Sequence, residues 1–422
     1  MSNYGAPASY NVSVAQSDIP AAWMPDARPR VASGGTHRIL SIASQSGTVS
    51  SGQNMLFQLP AGMGAGFLVA GSAYIKFTVS VTQANAYSWA FKQTGAASSV
   101  ALRMSAILSG QMAENINHYN KVYNSLLQHA TNVSYLDADA GLTENVYSGA
   151  FNVAQTLTVC IPVGLGLLNA KQHLPLFLLS SGMIQVDLAS ALDAFVSGTA
   201  DAVTEFQVIG ATLICEQICP DAAYEQGMKQ MLASRVYQMA FDTFYNNKYA
   251  GQSSITANLG LNSSSVRGVF WTPIPWVGAR RTHAPTDGGQ TQCYLSLDGA
   301  LVSNNNLSDT PTQFLEMNRA LGNMFDITRI SAGPNQVATD NAAVAADITP
   351  ASISRTTYVS GAYLGGLSCA RSNDASFGFV GTPVNQAVLS WTGTLATGEF
   401  YVYVALSQVL TIDAAGTANL IR

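Results

Sequence analysis

Charge is what this 422-residue chain has least of: 19 Lys and Arg and 24 Asp and Glu, 10% of all residues, where a soluble protein carries about 25%. A monomer surrounded by water needs a charged skin. So neutral a chain fits a surface largely covered by neighbours, because interface cores are depleted in Lys, Glu and Asp. The basic residues are also too scattered to replace counterions along a phosphate backbone. The nearest groupings are Arg28, Arg30 and Arg38, and Arg280 with Arg281. They read as scattered surface charge, and no direct, sequence-specific nucleic-acid binding by the folded part is expected.

Long hydrophobic runs are missing too. The best stretches, such as Val159–Leu168, fall far short of the roughly 20 residues that span a bilayer. Yet 48% of the residues are apolar, so that apolar surface must be buried against protein. The first residues have no basic segment followed by an apolar one, so no secretory signal is expected. Cysteine is sparse and odd in number: Cys160, Cys215, Cys219, Cys293 and Cys369. That usage suits reduced thiols in an intracellular compartment.

Catalytic patterns are the third absence. Cys215 and Cys219 have no second pair or nearby histidines to complete a zinc site, and read as buried free thiols. The histidines (His37, His118, His129, His173, His283) are far apart in sequence, and no Gly-x-Ser-x-Gly elbow accompanies them. Gly62, Gly64 and Gly66 lack the spacing and following helix of a dinucleotide loop, and read as a flexible turn. Asp137, Asp139 and Glu144 hint at a calcium loop but lack the EF-hand pattern. Asn11, Asn132, Asn262 and Asn306 open glycosylation sequons that read as chance matches. No catalytic, cofactor-binding or metal-binding residue is assigned, and no cofactor is expected.

What the chain does have is strands. Tyr74–Val81 alternates strictly: Ile75, Phe77, Val79 and Val81 point one way, Lys76, Thr78 and Ser80 the other. That is a strand with one buried face. Similar short segments, bounded by Gly, Ser, Asn and Pro, recur at 39–43, 54–59, 67–81, 100–108, 156–163, 176–188 and 204–217, which suggests an antiparallel sandwich. Ala113–His129 carries Ile116, Tyr119, Val122, Tyr123 and Leu126 at helical spacing, and predicts a helix on the sandwich rim. Asp221–Arg235 is a second, polar helix and the natural connector. A second strand series follows: 236–244, 253–259, 266–272, 292–297, then a helix near 312–321, then 357–363, 387–392, 399–407 and 409–412. The order of the first half is repeated without visible repetition of residues, as in two sandwiches in tandem. The division expected is an arm at 1–34, a first sandwich at 35–219, a helical linker at 220–235, a second sandwich at 236–416 and a tail at 417–422.

Several segments carry a resemblance. ALRMSAILSGQMAENINHYNKVYNSLL at 101–127, the IP…LPLFLLSSGMIQVDL stretch at 161–188 and ATLICEQICPDAAYEQGM at 211–228 do so in the first half. In the second, CYLSLDGALVSNNNLSDTPTQFLEMNRAL at 293–321 and LSWTGTLATGEFYVYVALSQVLTIDAAG at 389–416 are similar in outline. Their order and spacing resemble the double jelly-roll major capsid proteins of tailless icosahedral double-stranded DNA viruses, above all the polinton-like virus, adintovirus and virophage group. The resemblance implies an all-β fold of two tandem eight-stranded antiparallel jelly rolls with short helices on the rims. It also implies a homotrimer of pseudo-hexagonal outline that packs beside neighbouring capsomers in a virion shell, with a separate penton protein at the vertices. Minor or cement proteins and an internal membrane are common companions in that lineage. The stretches 251–265 and 303–309 would be tower loops, and the arm would run beneath the shell. Such a protein is a building block and not an enzyme. Two other readings stay open on the residues alone. One is a carbohydrate-binding or adhesive sandwich, which would expose aromatic platforms, whereas Trp271, Trp276 and Trp391 fall in or near strands. The other is a cupin-type enzyme, which would need clustered histidines.

Overall fold

The computed structural model describes residues 35–83, 89–91, 97–130, 154–197, 203–275, 285–302, 306–321, 358–359, 363–370 and 381–421. The arm, the acidic stretch at Asp137–Glu144, Arg280, Arg281, Trp276 and His283 lie outside the described residues.

In the first half the main strands are β1 (Thr36–Ala43), β2 (Asn54–Leu59), β3 (Tyr74–Gln83), β4 (Ala101–Leu108), β5 (Gln111–Ile116), β6 (Ala154–Pro162), β7 (Gly182–Leu188) and β8 (Val203–Cys219). They form two antiparallel sheets, in the orders β1-β8-β3-β6 and β2-β7-β4-β5. The second half supplies β9 (Tyr237–Ala250), β10 (Ser254–Leu259), β11 (Ser263–Pro275), β12 (Gln292–Leu297), β13 (Ala300–Leu301), β14 (Gly365–Ser368), β15 (Ala387–Thr392) and β16 (Gly398–Ile412). Their orders are β9-β16-β11-β14 and β10-β15-β12-β13. Numbered within its own half, each set reads 1-8-3-6 and 2-7-4-5. Each half is therefore a jelly roll, and the two share one topology. A final strand, β17 (Ala418–Ile421), pairs with the end of β16.

The alternation expected for β3 holds. Ile75, Phe77, Val79 and Val81 are buried, while Lys76 faces out. Inward residues from facing sheets interleave into one apolar layer per roll, which removes most of each strand's apolar surface from water. Three helices complete the frame: α1 (Tyr119–Ala130), α2 (Ala222–Met231) and α3 (Thr310–Ala320). Asp221 caps α2 by accepting from the Tyr224 amide at 2.8 Å, and Asp309 caps α3 by accepting from the Thr312 amide at 3.0 Å. Both satisfy an amide that the first turn leaves unpaired.

Several expected elements differ. The helix expected over Ala113–His129 starts only at Tyr119. Residues 111–116 pair with β4, and His118 at φ 45° makes the corner between strand and helix. The strand expected over 67–81 is broken after Leu68, where the chain turns at Gly71 with φ 75°. In 176–188, the part Leu176–Leu178 is a single 3-10 turn. The stretch 357–363 contributes no strand among its described residues, and β14 comes just after it. β14 needs its glycines: a Cβ at Gly365 would overlap the Trp271 ring, and one at Gly366 would lie 2.8 Å from the Phe270 ring. Segments 399–407 and 409–412 are one unbroken strand, laddered to β9 from Ile412↔Tyr237 to Glu399↔Ala250. Residues 418–421, read as tail, are the strand β17. The tower stretch 251–265 is mostly β10 and the start of β11.

Candidate functional site

Among the described residues, the histidines and cysteines that the sequence singles out form no common site. His37 lies on β1, 3.2 Å from the exposed Glu216 carboxylate. His173 accepts a hydrogen bond from the Ala70 amide at 3.1 Å. His118 packs its ring edge-on against Tyr401 at 5.3 Å, and burial holds its pKa below the usual imidazole range. Cys215, Cys293 and Cys369 are buried free thiols, Cys160 and Cys219 partly exposed ones. Burial pushes the Cys215 thiol up to about 11, which keeps it protonated and unreactive at neutral pH. Among the described residues no group of three His, Cys, Asp or Glu could hold a metal. Trp271 and Trp391 are completely buried, so they are core residues and offer no platform to a sugar.

Geometry concentrates instead at the seam between the rolls. The corner between β5 and α1 presses against β9 and β16. Glu114, on β5, accepts from the Gly166 amide at 2.9 Å, the Leu167 amide at 2.9 Å and the Thr243 hydroxyl of β9 at 2.6 Å. The Asn246 amide donates to the Asn117 carbonyl. Lys248 and the Tyr401 hydroxyl both bind the Glu399 carboxylate, and the Lys248 ammonium lies 6.0 Å from the Tyr401 ring centre. Farther along, Gly416 sits so close to the Leu178 carbonyl of the first roll that a Cβ there would lie 2.7 Å from it. The seam explains a feature of β16. Its first seven residues are buried on both faces, and only from Ala405 does it alternate. One face of that stretch fills the second roll, where Phe400 meets Trp391 at 5.2 Å. The other face, with Tyr401, meets the first roll.

The linker is fastened by a second carboxylate. Glu225 on α2 is 1% exposed. It accepts from the Gly64 amide at 2.6 Å and the Gly66 amide at 3.0 Å. The Gly62–Gly66 turn is thus a socket of backbone N–H groups filled by the chain's own anion. It needs glycine at 66, where φ is +58° and a Cβ would overlap the Ile218 carbonyl. Replacing Glu225 by alanine leaves two amides without their acceptor and should cost about 2–4 kcal/mol. Limited proteolysis should then cut within 220–236 faster than in the parent chain. Equal cleavage rates would mean that the socket does not hold the linker.

Sequence reasoning missed Glu114 and Glu225. The one available signal was a carboxylate between the apolar Ala113 and Ile116 in one case and on the buried side of a polar helix in the other.

No family model matches the chain, and no curated protein sequence does. Solved structures do match in fold. A chain of the PBCV-1 virus capsid quasi-atomic model superposes with a TM-score of 0.60 at 12% identity, covering 92% of this chain and 97% of that one. The Faustovirus major capsid protein gives a TM-score of 0.60 at 6% identity, covering 97% of this chain and 95% of that one. For the mavirus major capsid protein the TM-score is 0.50 at 10% identity, with 95% and 94% covered. Identities this low speak to fold alone, and that fold is the double jelly roll over nearly the whole chain.

Proposed function

We propose that this chain is a viral major capsid protein, a tile of an icosahedral shell around a double-stranded DNA genome. The observation that carries the reading is the pair of jelly rolls with identical strand order, locked side by side through a buried polar seam. A chain that presents two sandwiches in one fixed relation supplies, as a homotrimer, six sandwiches in a ring of pseudo-hexagonal outline. Such an outline packs edge to edge with neighbouring capsomers. A separate penton protein fills the vertices, and minor or cement proteins and an internal membrane are further partners of such shells. The division into 35–219, 220–235 and 236–416 belongs to the same proposal, as does a location in the virion.

The fold likeness to three viral capsid chains supports the reading, as does the low charge, which suits walls covered by neighbours. No helix among the described residues is long and apolar enough to cross a membrane. The role asked of the chain is assembly, not chemistry.

The test is the mass of the purified protein by light scattering, followed by negative-stain imaging. The expected species has three times the 44.4 kDa of one chain and a hexagonal outline. A strict monomer at all salt and pH conditions, with no lattice at high concentration, would overturn the trimeric tile.

A further inference from the structure

We propose that Glu114 is a proton-operated latch between the two jelly rolls: neutral, it holds β9 against the first roll; ionised, it loosens that seam. This goes beyond the capsid reading and does not depend on it.

The argument starts from what surrounds the carboxyl. Glu114 is 3% exposed. Its three partners are two backbone amides from the 3-10 turn Gly166–Asn169 and one hydroxyl from the other roll. No cation faces it. On β4, Arg103 is paired with Asp187 at 2.6 Å. On β9, Asp242 is bound by Arg267 and Ser407, and Lys248 is paired with Glu399. Tyr245 completes the titratable groups of the nearby part of β9. Beyond the corner, the His118 ring lies on Tyr401 and the Tyr119 hydroxyl donates to the Pro162 carbonyl at 3.3 Å. Lys121, on the next turn, has interactions of its own. The turn 166–169 and β17, which packs on β5, carry no titratable side chain in their described parts. None of the ion pairs among the described residues includes Glu114.

A buried carboxylate without a cation is costly, and taking up a proton removes that cost. The geometry lets the proton in without breaking a bond. Thr243 has a hydroxyl, which donates or accepts. With Glu114 ionised, the hydroxyl donates to Oε1. With Glu114 neutral, the proton sits on Oε1 and is donated back to the Thr243 oxygen across the same 2.6 Å. Both amides keep their acceptors in either state. The bonds are stronger to the carboxylate, but they offset only part of the cost of the buried charge.

Burial raises the Glu114 pKa from an ordinary 4.5 to about 7, while the three hydrogen bonds act to lower it. A raised pKa means that the closed seam holds a proton which the open chain releases. The stability it lends is complete below about 4.5 and is lost as pH rises to about 7. The latch is shut in mild acid and slack in mild base.

The experiment follows the full chain from about pH 5.5 to about pH 8.5. Infrared difference spectra should lose a protonated-carboxyl band with a midpoint near 7, and Glu114→Gln should abolish that change. Amide exchange at Gly166 and Leu167, corrected for its intrinsic pH dependence, should quicken about thirtyfold over the same range, and stay level in Glu114→Gln. Thr243→Val removes a bond that favours the ionised form, so it should move the infrared midpoint to higher pH. No carboxyl band titrating in the parent chain, equal exchange profiles in parent and Glu114→Gln, or a midpoint that Thr243→Val leaves in place would each overturn the latch.

Discussion

Replacing Gly166 by alanine is expected to unseat the rolls from each other at a cost of about 3–5 kcal/mol. Gly166 sits where the first roll comes closest to the second. A Cβ there would overlap the backbone carbonyl oxygen of Asp242 on β9. Backbone in a strand laddered along its whole length cannot swing aside as a side-chain tip can. Either β9 moves as a unit, or the 166–169 turn withdraws and takes two amides away from Glu114. Overpacking against rigid structure costs about 1–3 kcal/mol, and two buried amides left without their acceptor add about 2–3 kcal/mol. A glycine with open space around it separates this effect from a general glycine effect. Gly47 has no atom within 4 Å of its ideal Cβ position, so Gly47→Ala should stay within about 0.5 kcal/mol of the parent. Denaturant titration of the three proteins decides the matter. A midpoint for Gly166→Ala no lower than that for Gly47→Ala would show that the seam tolerates the methyl group.

The pattern of that seam also tells which parts of the fold could be read from the residues. Strands facing water on one side were legible: Tyr74–Val81 alternates because its environment alternates. β16 was not, because its environment changes along its length. Up to Val404 it is buried on both faces, and from Ala405 it alternates, so one strand looked like two. The same seam misled the reading of Ala113–His129. Ile116 and Tyr119 are both buried and three apart, as in a helix, but one closes a strand and the other opens α1 after a corner at His118. The polar anchors were out of reach for a different reason. Glu225 meets Gly64 across 161 residues, and Glu114 meets Thr243 across 129. No local pattern marks a carboxylate whose partners are that distant. Gly62–Gly66 was correctly a turn, but its purpose is visible only once α2 lies over it.

In the second roll, Gln290→Leu should cost about 4–6 kcal/mol, more than almost any surface change. Gln290 precedes β12 and is 5% exposed. Three donors converge on its side-chain oxygen, each at 2.9 Å: the Trp271 indole of β11, the Trp391 indole of β15 and the Tyr363 hydroxyl. Its amide nitrogen donates to the Leu307 carbonyl at 2.6 Å. One side chain thus ties the two facing sheets to the loop that leads into α3. Leucine has nearly the same volume and no acceptor, so it leaves three buried donors unpaired, each costing about 1–3 kcal/mol. Gln290→Glu tests whether the acceptor itself is what matters. A neutral carboxyl accepts on one oxygen and donates from the other, and so reproduces the amide. An ionised one cannot donate to Leu307 and buries a charge besides. Burial raises such a carboxyl's pKa, so this variant should approach the parent's thermal midpoint in mild acid and fall away from it as pH rises. Gln290→Leu should be equally destabilised at both ends of that range. If both variants lose the same stability at every pH, the three donors do not depend on Gln290, and packing alone holds the second core together.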